Sequence, residues 1–242
     1  SYRVERGETD GTFSVFRGPR RPVEAAGLEE AAELVVSDLE RHVARQSRGF
    51  VLVHAGAVVW KGRAILLPGR SHAGKSTLVA ALLAEGAGYL SDEFAVIDPE
   101  GRAHPYARPL CLRRSGGLVD RISVQALGAS VAGPAPVGLV AFLRYRRGAG
   151  VEERSMTPGE SLLSLLVHTL EVRRRLDSAR TFLRPVATSA RAIRGVRGEA
   201  EEAARNLLEW AANASTAVAI HRAPGSGSRP AGQPDRATVV PG

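Results

Sequence analysis

Between the apolar run "RAILLP" and the helical pattern "STLVAALLAEG" stand Gly69-Arg70-Ser71-His72-Ala73-Gly74-Lys75-Ser76. They fit G-x-x-x-x-G-K-[ST] at every fixed position. The pattern demands a strand, a tight glycine turn and a helix starting at that turn. Gly69 and Gly74 free the backbone to aim its N–H groups at phosphate oxygens, and the helix start adds a partial positive charge. Lys75 reaches the terminal oxygens of a triphosphate, and the Ser76 hydroxyl ligates Mg²⁺. Of 33 basic residues only Lys61 and Lys75 are lysine. A compact ammonium is therefore kept where arginine would not fit. Residues Gly69 through Thr77 are the expected nucleotide contacts.

The loop specifies a nucleoside triphosphate and leaves the acceptor open. The next acidic pair, Asp92 and Glu93 in "GYLSDEFAVID", begins 17 residues beyond Lys75. One helix and one strand fill that interval, so both carboxylates are expected at a strand end beside the loop. So near a spacing suits a phosphotransferase, with Asp92 as base toward a hydroxyl and Ser76, Asp92 and Glu93 as metal ligands. Asp98, after "FAVI", is a weaker candidate because "DPEG" is a good turn. If Lys61-Gly62 is a two-residue hairpin loop, positions summing to 123 face each other. His54 then faces Gly69, where it could bond a neighbouring carboxylate.

Elsewhere, strand-like runs near Tyr2–Val4 and Thr12–Phe16 precede an amphipathic helix over 24–46. Its apolar face would be Leu28, Ala31, Ala32, Val35, Leu39 and Val43. "FVLVHAGAVVW", "RAILLPG", Gly88–Leu90, Phe94–Ile97 and "VGLVAFLRY" read as strands. Thr157-Pro158-Gly159-Glu160 opens a helix through "SLLSLLVHTLEV", and "EAEEAARNLLEWAANA" is a last helix. Strands alternating with helices argue for an α/β or mixed α+β fold. The expected division is an N-terminal unit over 1–49, a core over 50–221 and a disordered Pro/Gly/Ser-rich tail over 222–242.

The net charge of +8 comes without an aromatic stacking platform, so no nucleic-acid partner is expected. One cysteine, no long apolar run and no apolar N-terminal stretch make a cytoplasmic protein the expectation, without a membrane partner. Cys111 reads as a strand residue, His168 as a packed helix histidine, and Arg173-Arg174-Arg175 as a solvated helix end. Arg144, at a strand end, is a weaker candidate for phosphate contact.

His54, the loop's first glycine 15 residues later, then Gly-Lys-Ser and a Gly-x-x-x-Asp-acid strand together resemble the core of HPr kinase/phosphorylase. They resemble still more its smaller relatives, some of them encoded beside enzymes that make lasso peptides. The resemblance is specific over roughly 50–115. It implies a P-loop kinase core in a mixed sheet flanked by helices, as shared with phosphoenolpyruvate carboxykinases. It also implies ATP and Mg²⁺ as cofactors, Asp92 as general base, His54 as its support and Glu93 as a further acid. The implied substrate is a serine hydroxyl in a protein or peptide, including precursors of ribosomal peptide natural products, and a homo-oligomer is consistent with it. The family's Leu-Glu-x-Arg-Gly stretch corresponds to "LCLRRSGG", with Cys111 in place of the metal-site Glu and Arg113 keeping the arginine for phosphate or substrate. No stretch is recognised as the family's phosphorylase loop, so dephosphorylation by inorganic phosphate is not expected to carry over. A small-molecule kinase and a non-catalytic nucleotide-binding regulator are the rival readings.

Overall fold

A computed structural model describes residues 1–19, 21–70, 73–113 and 119–220, with the side chains of 113, 119 and 214–220 set aside. The tail expected over 222–242 lies outside the described residues. The chain opens with β1 (Tyr2–Arg6), β2 (Phe13–Arg17) and β3 (Val23–Ala25), an antiparallel three-stranded sheet, then α1 (Leu28–Gln46). Alternation in "FSVFR" buries Val15 against Ala25 and Ala31, with Leu34 and Val35 packed beside them. The predicted helix begins later than residue 24 because Val23–Ala25 complete that small sheet.

The core begins with β4 (Val51–Trp60) and β5 (Arg63–Pro68), paired in the predicted register from Trp60↔Arg63 to Ala55↔Pro68. Lys61 and Gly62 both take positive φ, 46° and 75°, as a two-residue hairpin loop requires. Next come α2 (Lys75–Ala84), β6 (Gly88–Ser91), β7 (Phe94–Ile97) and β8 (Arg102–His104). β9 (Leu110–Arg113) and β10 (Val119–Ile122) form a separate hairpin, followed by β11 (Ala135–Tyr145) and β12 (Glu152–Ser155). The chain closes with α3 (Pro158–Val167), α4 (Leu176–Ser189), β13 (Arg191–Arg197) and α5 (Ala200–Ile220).

The large sheet runs β12-β13-β11-β5-β4-β7-β8, with β6 also on β4. β11 is parallel to β5 and β13, whereas the remaining pairings are antiparallel, so the sheet is mixed. It curls far enough for Ala135 and Pro136 of β11 to pair with β8. Helices cover both faces. Leu78, Val79 and Leu82 of α2 pack with Ala203, Ala204 and Leu207 of α5 over Val58, Ile65 and Ile193. Leu165 of α3 and Phe182, Leu183 and Val186 of α4 pack over Val53, Leu66 and Val140 on the other face. A Cβ at Gly56 would stand 2.8 Å from Val79 Cγ2, so glycine in β4 lets α2 lie directly on the sheet. The architecture is mixed α+β, a mixed sheet flanked by helices.

Three sequence expectations are corrected. α1 buries Ala31, Glu40 and Ala44, while Leu28, Leu39 and Val43 are exposed. Its inner face is the one whose small residues allow close approach to the core. The helix opened by Thr157 has its predicted capping box but stops at Val167 rather than at Val172. His168 closes it as C-cap, and the arginine run becomes a 3-10 turn that leads into α4. Arg175 is not simply solvated, since its Nη1 donates to Ala44 O and Phe50 O, tying α1 to the core.

Candidate active site

The glycine turn leaves β5 at Pro68 and enters α2 through Gly74, which has φ 76° and ψ 25°. That left-handed conformation is open to glycine at little cost. Ser71 and His72 lie outside the described residues. Arg70 and Thr77 are exposed, and Ala73 is half-buried with its N–H donating to Arg70 O. Lys75 Nζ donates to Gly69 O at 3.1 Å and Arg70 O at 3.0 Å, and approaches His54 Nε2 to 3.1 Å.

His54 stands opposite the loop as the register requires, its carbonyl accepting from Gly69 N–H. Burial, then Lys75 and His168, push its pKa down to about 4. The ring is therefore neutral near pH 7, with Nε2 accepting from the Lys75 ammonium. The carboxylate it meets is that of Glu93, at 3.6 Å, and not that of Asp92. The expected support of Asp92 by His54 is corrected accordingly. β4 carries the ring over the turn's carbonyl side, whereas Asp92 faces the start of α2.

Asp92 is buried and accepts from Ser76 Oγ at 2.8 Å, Tyr89 Oη at 3.1 Å and Cys111 N–H at 3.4 Å. Tyr89 is fully buried, and burial followed by Asp92 raises its pKa, so it remains a donor. Glu93 differs. Its side chain is 47% exposed, and burial of the remainder raises its pKa. The two neighbouring acids thus have different surroundings: Asp92 is held by three donors, whereas Glu93 projects toward His54 and Lys75.

Two cavities flank the turn. One of about 470 Å³ lies on the acidic side, where Lys75, Ser76, Asp92 and Glu93 meet Glu33 and Glu40 of α1. Glu40 is fixed by Tyr106 Oη and Arg108, so α1 roofs this space through a specific polar contact. A second, of about 830 Å³, lies on the opposite side of Gly69 and Gly74, walled by Phe142, Tyr145, Arg154, His168 and Arg194. Arg144 lines it too.

Hard oxygen donors at Ser76 and Asp92 fit Mg²⁺, which takes one or two protein oxygens and completes its shell with phosphates and water. Among the described residues no group of three or more His, Cys, Asp or Glu could form a metal cage by itself. Asp98 spends its carboxylate on the N–H groups of Glu100 and Arg102 and on His104, as its turn position suggested. Cys111 is exposed in β9 with its thiol pKa raised, first by burial, which disfavours the nucleophilic thiolate. Arg113 pairs its backbone with Val119, and its side chain lies outside the described set. Sequence reasoning missed Arg108, Arg121, Arg194 and the α1 acids. Arg121 and the α1 acids line the smaller cavity with Arg108, and Arg194 lines the larger; no motif marks them, although "RAIRGVR" does carry an arginine at every third position.

No helix among the described residues is long and apolar enough to cross a membrane. No family model matches the chain. Nor does any curated protein match it in sequence. Among solved structures, the Hpr(Ser) kinase/phosphatase from Coxiella burnetii is similar at a TM-score of 0.37 and 14% identity, over 70% of this chain and 97% of that one. That is a distant match, and the fold assignment rests on this chain's own sheet order and turn geometry.

Proposed function

We propose that the protein is a Mg²⁺- and ATP-dependent kinase that transfers the γ-phosphoryl group to a hydroxyl, best a serine of a protein or peptide. The observation that carries this reading is the 2.8 Å contact between Ser76 of the turn and the buried Asp92. It puts an acid where a metal-bound terminal phosphate would lie. The nucleoside extends into the 830 Å³ cavity, against Tyr145 and Phe142, and the acceptor enters the 470 Å³ cavity beneath α1.

In this scheme Ser76 and Asp92 would hold the metal. Bound there, Mg²⁺ offsets charge on the phosphate oxygens. Glu93 takes the role of base that the sequence assigned to Asp92. Its side chain is open to the cavity, and its raised pKa brings it nearer the range of an effective base. The acceptor oxygen bonds to the γ-phosphorus, the bond to the β-bridging oxygen breaks, and the hydroxyl proton passes to Glu93. Lys75 stabilises charge on the transferred group, and neutral His54 orients Lys75 by accepting from its ammonium.

Mass spectrometry after incubation with ATP, Mg²⁺ and a serine-centred peptide library tests this reading, with glycerol and ribose as small-molecule acceptors. Phosphorylated peptides are expected. Lys75→Ala should lose both ATP binding and transfer, whereas Glu93→Gln should bind Mg·ATP normally and lose transfer. Tight ATP binding with no turnover on any acceptor would instead mark a nucleotide-binding regulator.

A further inference from the structure

Arg197 is the one cation among the buried polar side chains of the described residues, with 4% exposure. It stands at the end of β13, on the face that Ile193 presents to α2 and α5. Its Nη2 donates to Gly74 O at 3.0 Å and its Nη1 to Gly198 O at 2.9 Å, while its guanidinium lies 5.2 Å from the Tyr145 ring centre. A Cβ on Gly74 would come within 2.7 Å of Nη2, so the group is lodged directly behind the turn.

Its partners are carbonyl dipoles and a ring face. Among the described residues no carboxylate forms an ion pair with it, and Glu199 and Glu201 act on it only through space. A buried charge is costly unless an opposite charge compensates it. The turn in front of it is the place where an anion would do so.

We propose that Arg197 is a positioning residue for the phosphate chain: it anchors Gly74, the hinge of the turn, and supplies the buried counter-charge to a polyphosphate held there. This rests on the reading that the turn binds a triphosphate. Without ligand the guanidinium has only carbonyl dipoles, a ring face and through-space carboxylates to balance it. With ligand it favours the more highly charged occupant, so it discriminates ATP from ADP.

Calorimetric titration of the full chain with ATP, ADP, adenosine and inorganic tripolyphosphate tests this, alongside thermal denaturation of Arg197→Met and Arg197→Lys. Arg197→Met is expected to bind tripolyphosphate about tenfold more weakly or worse and to lose preference for ATP over ADP. Adenosine binding should be unchanged. Its ligand-free melting temperature should change little, because relief of the poorly compensated charge offsets the loss of donors to Gly74 O and Gly198 O. Arg197→Lys should retain part of the polyphosphate affinity. A ligand-free melting temperature that falls while tripolyphosphate affinity holds would make Arg197 merely structural and overturn the proposal. Failure of Arg197→Met to fold, with normal tripolyphosphate binding by Arg197→Lys, would count the same way. Wild-type protein that binds neither ATP nor tripolyphosphate would sink the triphosphate reading itself, a result separable from the others.

Discussion

Asp92 and Glu93 are adjacent in sequence yet differ in what holds them. Three donors fix Asp92, whereas Glu93 is an acid whose ionisation the fold disfavours. A group with a raised folded pKa binds its proton more tightly in the native state, so its contribution to stability is full at low pH and lost as pH rises through that pKa. Glu93→Gln should therefore raise the melting temperature at pH 7 and lose that advantage below the ordinary carboxylate range, as paired melts at pH 7 and about pH 3 would show. Activity should follow the ionised form, falling as pH drops through the raised Glu93 pKa.

His54 has the opposite sign. Its folded pKa is depressed to about 4, so the unfolded chain binds the extra proton first and stability falls as pH drops from roughly 6.5 toward 4. His54→Gln should flatten that part of the stability profile in urea titrations at stepped pH. The turn, His54 and both acids were all legible in sequence, because motif spacing and hairpin register are local. The partner of each acid was not, since it depends on which side of the turn β4 and α2 present. Arg197 escaped for the same reason: only the fold shows that the end of β13 lies behind Gly74.

Elements with one clean period were read correctly, and those with mixed signals were not. The β4–β5 hairpin and the Thr157 capping box each carry a short-range chemical signature. α4 was missed although Ala179, Phe182, Leu183 and Val186 follow helical spacing, because Pro185 interrupts the pattern. β13 was missed because three arginines mask Ala192, Ile193 and Val196. The α1 face is right in part: Ala31 and Val35 of the expected set pack inward, whereas Leu28, Leu39 and Val43 are exposed and Glu40 and Ala44 are buried. Thr157→Ala should cost about 1 kcal/mol through the lost cap. Leu82→Ala, fully buried where α2 meets the sheet, should cost about 2–5 kcal/mol. Chemical denaturation measures both, and similar small losses would mean that α2 is less firmly seated than its packing implies.

At the scale of the molecule, the curled sheet delivers β5, β11 and β13 side by side in parallel. The turn leaving β5 has a cavity on each side, one lined by arginines and aromatics and one under α1 lined by Asp92, Glu93, Glu33 and Glu40, and the proposed transfer would run from the first to the second. Arg194→Ala should raise KM for ATP and leave tripolyphosphate affinity unchanged, because Arg194 lines only the cavity proposed for the nucleoside. Glu33→Ala should instead change KM for the acceptor. Steady-state kinetics with each substrate varied in turn separate the two sides.

The most direct measurement is the crystal structure of the protein with Mg²⁺ and a non-hydrolysable ATP analogue. The triphosphate should lie cradled by 69–76, with the metal on Ser76 and Asp92 and the terminal phosphate facing Glu93. A nucleotide bound elsewhere, or a terminal phosphate turned away from both acids, would contradict the proposed function.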